Sequence, residues 1–357
     1  MSDPAIIEAI RHDAGLFLHQ LDLIQRRALF VRVGEQELRN ASFLDERLLN
    51  ERIGVAGRDA FWLPLDPLFD EAVPTQEGEQ VPGFIFHIGH CGSTLLSRLL
   101  DLSPDVLGLR EPLALRQVAA TELDRDAPFA RIDPARFPAL FAWVLHLLGR
   151  RFRSDQQIVI KATSSCNNLV APLLAGFPDA RIVLLHLPLE SYLATLLKAP
   201  GGGRDALTFA VDRLHYLNRY LGGDDLHLYR LNNAETLALG WVAELARFQQ
   251  IARSTQADHA MMLDFEVLLE ALDAGLVAVR EHLGLGVPAA SSSGVAQVLR
   301  AYAKKPDHAY SPVDRAHDLD LSRRKFGSEI ARGMAWAEQL IARHRPLASL
   351  VPLLRAR

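Results

Sequence analysis

Residues 84–100 read Phe84-Ile-Phe-His-Ile-Gly-His-Cys-Gly-Ser-Thr-Leu-Leu-Ser-Arg-Leu-Leu100. Phe84 to Ile88 is a short, largely apolar run of the kind a buried parallel strand shows. Two glycines punctuate the next six residues, and a helical stretch begins at Thr94. A loop between a strand and a helix N-terminus has a chemical consequence. Its successive backbone N–H groups form a concave set of donors, and the helix end adds partial positive charge. Gly89 and Gly92 let the backbone bend toward an anion without a Cβ in the way. Ser93 and Thr94 add hydroxyl donors. Together these suit a phosphate oxygen. The loop differs from the ATPase pattern G-x-x-x-x-G-K-[ST], because Ser93 stands where that pattern needs Lys.

The rest of the chain alternates in the same way. Further strands are expected at 106–109, 157–161, 180–186 and 259–263, and the intervening stretches 137–150, 168–175, 189–198, 206–221 and 234–253 have helical spacing. Helical spacing recurs at 264–272, 276–285 and 327–344. This rhythm predicts a three-layer α/β fold with a mainly parallel sheet of about five strands and helices on both faces. Ahead of it, 6–24 and 38–49 have helical spacing and 28–33 reads as a strand. The polar, proline-flanked stretch 71–82 marks a boundary. The expected organisation is an N-terminal addition over 1–80, a core over 81–290, and a charged loop with C-terminal helices over 291–357.

Composition narrows the function. The 357 residues are 49% hydrophobic and 23% charged with net charge -4, which lacks the basic surplus of a general nucleic-acid binder. Two cysteines, Cys91 and Cys166, give no disulfide framework. No secretory leader is expected at the N-terminus, and no apolar run reaches the ~20 residues of a membrane span. A cytoplasmic protein is expected. The 13 histidines show no metal-ligand spacing, so no metal is expected, and no G-x-G-x-x-G follows a strand.

Ile88 to Leu100 resembles the 5′-phosphosulfate loop of sulfotransferases, written (K/R)-S-G-(S/T)-T before an apolar helix. Cys91-Gly92-Ser93-Thr94 matches S-G-S-T with Cys for Ser, and His90 stands at the basic position. The resemblance implies the P-loop nucleotide-binding fold and 3′-phosphoadenosine 5′-phosphosulfate as donor, held by Gly89, His90, Cys91, Gly92, Ser93 and Thr94. It implies Glu111, in Arg110-Glu111-Pro112, as the base that takes the acceptor's proton. Lys161, closing the strand 157–161, is similar to the family lysine that meets charge on the leaving oxygen, a role His90 shares. Residues 177–195 look like the 3′-phosphate segment, matched at Pro178, Ala180, Arg181, Pro188 and Glu190. There His186 replaces Arg and Ala194 replaces Ser, with Thr195 adjacent. Trp241 and 263–268 resemble late packing features of the family. In the tail, 302–311 and Arg323-Arg-Lys-Phe-Gly327 sit where the family carries a basic loop over the cofactor, and one of these cations is a candidate for the 3′-phosphate charge. The acceptor, a hydroxyl or amine, is expected to be chosen by loops such as 113–135 and 199–205.

Two other functions stay open on the sequence. A non-catalytic nucleotide-binding or scaffold protein on this fold is suggested by His90, His186 and Ala194. An ATP-dependent P-loop phosphotransferase is disfavoured by the missing lysine.

Overall fold

The computed structural model describes residues 4–45, 60–66, 81–198, 202–254, 257–286, 292–302 and 305–355. The expected boundary at 71–82 lies almost wholly outside them, as do residues 199–201 of the glycine loop.

The N-terminal region is α1 (Pro4–His12), β1 (Leu16–Asp22), β2 (Arg27–Arg32), α2 (Glu35–Asn40) and β3 (Ala60–Pro64). The helical spacing read over 6–24 resolves into a nine-residue helix and a strand. Asp13 accepts from the Gly15 amide at 2.8 Å and breaks the helix before β1 begins. The three strands pair antiparallel in the order β1-β2-β3, with Phe30 opposite Leu18 on one side and Phe61 on the other. Helix α2 ends at Asn40, nine residues before the expected end.

The central strands are β4 (Gly83–His87), β5 (Val106–Arg110), β6 (Gln157–Lys161), β7 (Ile182–His186) and β8 (Ala260–Asp264), hydrogen-bonded in the order β5-β6-β4-β7-β8. The expected mixed α/β fold with a five-stranded parallel sheet and flanking helices is thus present. The helices following β4 are α3 (Ser93–Leu100), α4 (Leu113–Leu123), α5 (Phe137–Gly149), α6 (Val170–Gly176) and α7 (Leu189–Leu197). After them come α8 (Arg204–Thr208), α9 (Ala210–Leu221), α10 (Asn233–Ala252), α11 (Phe265–Glu270), α12 (Leu272–His282) and α13 (Ser292–Leu299). The chain closes with α14 (Pro312–Lys325) and α15 (Gly327–Arg343). Residues 113–123 are helix where the sequence was read as a loop. Likewise 312–325 is helix where the tail was read as a basic loop. Ser311 opens α14 with a capping box, its hydroxyl accepting from the Asp314 amide while Asp314 accepts from the Ser311 amide. No described helix is long and apolar enough to cross a membrane.

The chain forms two compact units. The first comprises Met1–Phe86, Thr94–Ile182 and Val277–Val295. In it β5, β6 and β4 pair parallel, with Arg110 in register with Lys161 and Lys161 with Ile85. Strands β5 and β6 are buried almost throughout, as their continuous Val, Ile and Leu runs require. The second comprises His87–Ser93, Val183–Leu276 and Ala296–Arg357. Its core centres on α10, where fully buried Trp241 donates its indole N–H to the Leu187 carbonyl at 2.9 Å. Arg213 and Glu244 form an ion pair at 2.8 Å, both buried.

Candidate functional site

In the second unit, residues 88–93, which follow β4 in the chain, form a tight turn. Gly89 and Gly92 take φ of +86° and +82°, and His90 between them takes +52°. A Cβ built on Gly92 would fall onto the Phe265 ring, so only glycine fits there. Phe265 is buried at the start of α11, and the Arg315 guanidinium from α14 lies 5.4 Å from its ring centre. Arg315 also pairs with Glu266 at 3.4 Å.

The donors of this turn are distributed differently from the sequence expectation. The Gly89 amide donates to His87 Nδ1 at 2.9 Å, which fixes the buried His87 ring with Nδ1 as acceptor. Gly89 therefore supplies the bend, and its amide is engaged within the turn. Cys91 is fully buried and its thiol donates to the Leu185 carbonyl at 3.4 Å. It contributes backbone rather than a side chain to any ligand. Ser93 and Thr94 are buried at the start of α3. His87 escaped sequence reasoning because it sits inside an otherwise apolar strand.

The expected 3′-phosphate positions are also in the second unit. His186 is buried with its Nδ1 unpartnered, and burial pushes its pKa down to about 4. The ring is neutral near pH 7, so it lacks the permanent charge of an arginine. Thr195 does not reach outward: its hydroxyl donates to the Ser191 carbonyl one turn back in α7, at 2.8 Å. Ala194 is buried and has no hydroxyl to offer. Ser191, which the sequence reading passed over, is fully buried and its hydroxyl accepts from Arg323 at 3.3 Å. Arg323 also pairs with Glu190 at 3.4 Å. Within Arg323-Arg324-Lys325, Arg324 pairs with Asp320 on its own helix and Lys325 lies over Phe326. Arg323 reaches α7.

In the first unit, Glu111 and Lys161 meet at the ends of β5 and β6. The Lys161 ammonium is paired with Glu111 Oε1, and the Glu111 amide donates to the Lys161 carbonyl at 2.7 Å. The lysine side chain is 1% exposed and the carboxylate 11%. The ammonium is thus the more deeply buried member of the pair. The Phe43 ring centre is 5.7 Å from its ammonium. Glu111 has φ +57°, and the described non-glycine residues in the left-handed region are Arg26, His90 and Glu111. Arg26 belongs to the β1–β2 turn, where such a conformation is routine. The other two are residues the sequence had singled out for chemistry, and a left-handed non-glycine backbone costs about 1–3 kcal/mol.

Among the described residues there is no group of three or more His, Cys, Asp or Glu that could hold a metal ion. The buried Cys166 thiol is pushed up to about 12 by burial, so it is no nucleophile.

No family model matches the chain, and no curated protein matches it. Among solved structures it is similar to a sulfotransferase domain from the curacin biosynthetic pathway, at 14% identity and TM-score 0.38 over 73% of this chain and 98% of that one. It is similar to a sulfotransferase of Mycobacterium tuberculosis at 16% identity and TM-score 0.38, over 80% and 83%. A sulfotransferase of Mycobacterium avium is similar at 13% identity and TM-score 0.39, over 73% and 78%. No residue role follows from likenesses of this degree.

Proposed function

We propose that this chain is a transferase that moves a sulfuryl group from 3′-phosphoadenosine 5′-phosphosulfate to a hydroxyl or amine acceptor. The observation that carries the reading is the Glu111–Lys161 pair: a carboxylate in a left-handed backbone, largely buried and paired with a buried lysine at adjacent parallel strand ends. Strand ends of this kind are where open α/β sheets bind ligands. The donor supplies an activated sulfuryl group on a phosphate leaving group. Glu111 takes the acceptor's proton, the Lys161 ammonium holds that carboxylate in place, and His90 is the group of the turn proposed to meet charge on the leaving oxygen.

The residues suit the donor's two ends unequally. The missing Cβ of Gly92 makes room for the Phe265 ring, and the backbone amides that follow Gly89, with Ser93 and Thr94, are the groups that suit the 5′ anion. At the 3′ end, Arg323 and Ser191 supply the charge and hydroxyl that His186 and Ala194 lack. Replacing Glu111 with Gln tests the assignment. Turnover with a panel of phenols, alcohols and amines should be lost while adenosine 3′,5′-bisphosphate still binds. Unchanged turnover overturns it.

One observation favours a second reading. The neutral His186 and the Glu190 carboxylate beside Arg323 weaken the case for a second phosphate. A non-catalytic nucleotide-binding protein on this fold would bind nucleotide and show no transfer to any acceptor of the panel.

A further inference from the structure

Glu111 holds a conformation that its own chemistry disfavours, so something must impose it. The surroundings are hydrogen-bonded on both sides. The Leu44 amide donates to the Arg110 carbonyl at 2.7 Å, the Glu111 amide to Lys161 at 2.7 Å, and the Leu113 amide to the Leu44 carbonyl at 3.1 Å. Leu44 therefore brackets Glu111 from outside the sheet while Lys161 holds it from within. Leu44 belongs to the segment that follows α2, far away in sequence, and that segment needs an anchor of its own.

The anchor is Arg110. Its side chain is fully buried, which for a permanent cation demands a complete set of partners. It has them. Nε donates to the Ala41 carbonyl at 2.8 Å, one terminal nitrogen to Asp101 at 3.2 Å, and the other to the Leu38 and Arg39 carbonyls. The carbonyls of the last helical turn have no partners within a helix. Arg110 supplies donors to that end of α2, and the segment leaving α2 is thereby held along β5. Arg98 adds a bond to Ser42 at 2.8 Å.

We propose that Arg110 is the positioning residue of the site: by tying the end of α2 to β5 it seats residues 41–44 and so forces Glu111 into the left-handed backbone that aims its carboxylate. This rests on Glu111 being the base, and it extends the site to a part of the N-terminal addition.

The test reads the backbone constraint without needing an acceptor. Glu111→Ala and Glu111→Gly both delete the carboxylate and differ in whether a Cβ must occupy a left-handed conformation. In the parent background, Gly should raise the folding equilibrium constant about five-fold or more over Ala, because only Ala bears the left-handed strain. With Arg110→Met added, that preference should fall below two-fold, as the relaxed segment lets residue 111 return to ordinary φ. A preference unchanged by Arg110→Met overturns the proposal. If Arg110→Met does not fold, Asp101→Asn, which weakens the same anchor, takes its place with the same two outcomes. The chemical consequence is read separately. Arg110→Lys should lower kcat for sulfuryl transfer at least ten-fold with less than a two-fold change in affinity for adenosine 3′,5′-bisphosphate, and an unchanged kcat overturns the positioning role. Loss of the Gly preference together with transfer that survives Glu111→Gln would overturn the base assignment and leave the backbone constraint standing.

Discussion

Glu111 and Lys161 are joined twice, once by side chains across the ends of β5 and β6 and once by the Glu111 amide on the Lys161 carbonyl at 2.7 Å. Such an arrangement fixes the carboxylate in direction as well as in place. It also means that either partner alone would leave a buried charge without its counterpart.

Removing one member should therefore destabilise more than removing both. Lys161→Met is expected to cost about 3–5 kcal/mol, the usual penalty for stranding one buried charge. The double variant Glu111→Leu/Lys161→Met should recover most of that loss. Urea unfolding of the two variants checks it, and additive losses would contradict the coupling.

The anion turn gives a second expectation. Gly92→Ala combines a left-handed Cβ with a collision at Phe265, and should cost about 2–5 kcal/mol from strain and overpacking together. Gly92→Ala/Phe265→Ala should relieve the collision and leave the backbone strain. Thermal unfolding of the pair separates the two contributions.

His186 predicts a pH dependence. Its pKa in the folded chain is about 4 against 6.5 for an ordinary histidine, because burial penalises the charged ring. The unfolded chain binds the proton more readily, so stability rises with pH across this window. The contribution is complete above pH 6.5 and is lost as pH falls toward 4, on the order of 3 kcal/mol in all. Denaturation curves between pH 7 and 4 should fall more steeply for the parent chain than for His186→Leu. Parallel curves would contradict the assignment.

Much of the fold could be read from the sequence because it rests on local signals. The runs 106–109 and 158–160 are short and free of charged residues, and glycines and prolines punctuate the chain around the helices. The placement of Glu111 and Lys161 at strand ends was legible, because each directly follows or closes a short buried strand. The site was less legible where chemistry depends on which way a side chain turns. Thr195 is adjacent to the expected position yet bonds its own helix, and Ser191 one turn earlier holds Arg323 instead. The tail cations lie on a helix because Ser311 and Asp314 cap it, so Arg323 is presented where Arg324 and Lys325 are not. Arg110 reads as one more strand residue until its long-range carbonyl partners, some 70 positions away, are seen.

Cysteine chemistry offers an independent check of burial. Cys91 and Cys166 are both buried, and neither is in a disulfide. A thiol reagent at pH 8 should label neither in the native chain and both after unfolding in urea. Rapid labelling of Cys91 in the native chain would contradict the packing of the anion turn.

The central claim, that this fold holds the phosphosulfate donor, is tested most directly by calorimetric titration of the whole chain with adenosine 3′,5′-bisphosphate in the absence of magnesium. Micromolar binding that is lost in Gly92→Ala/Phe265→Ala and weakened at least ten-fold in Arg323→Ala is the predicted result. No detectable binding, or heat only with ATP and magnesium, would contradict it.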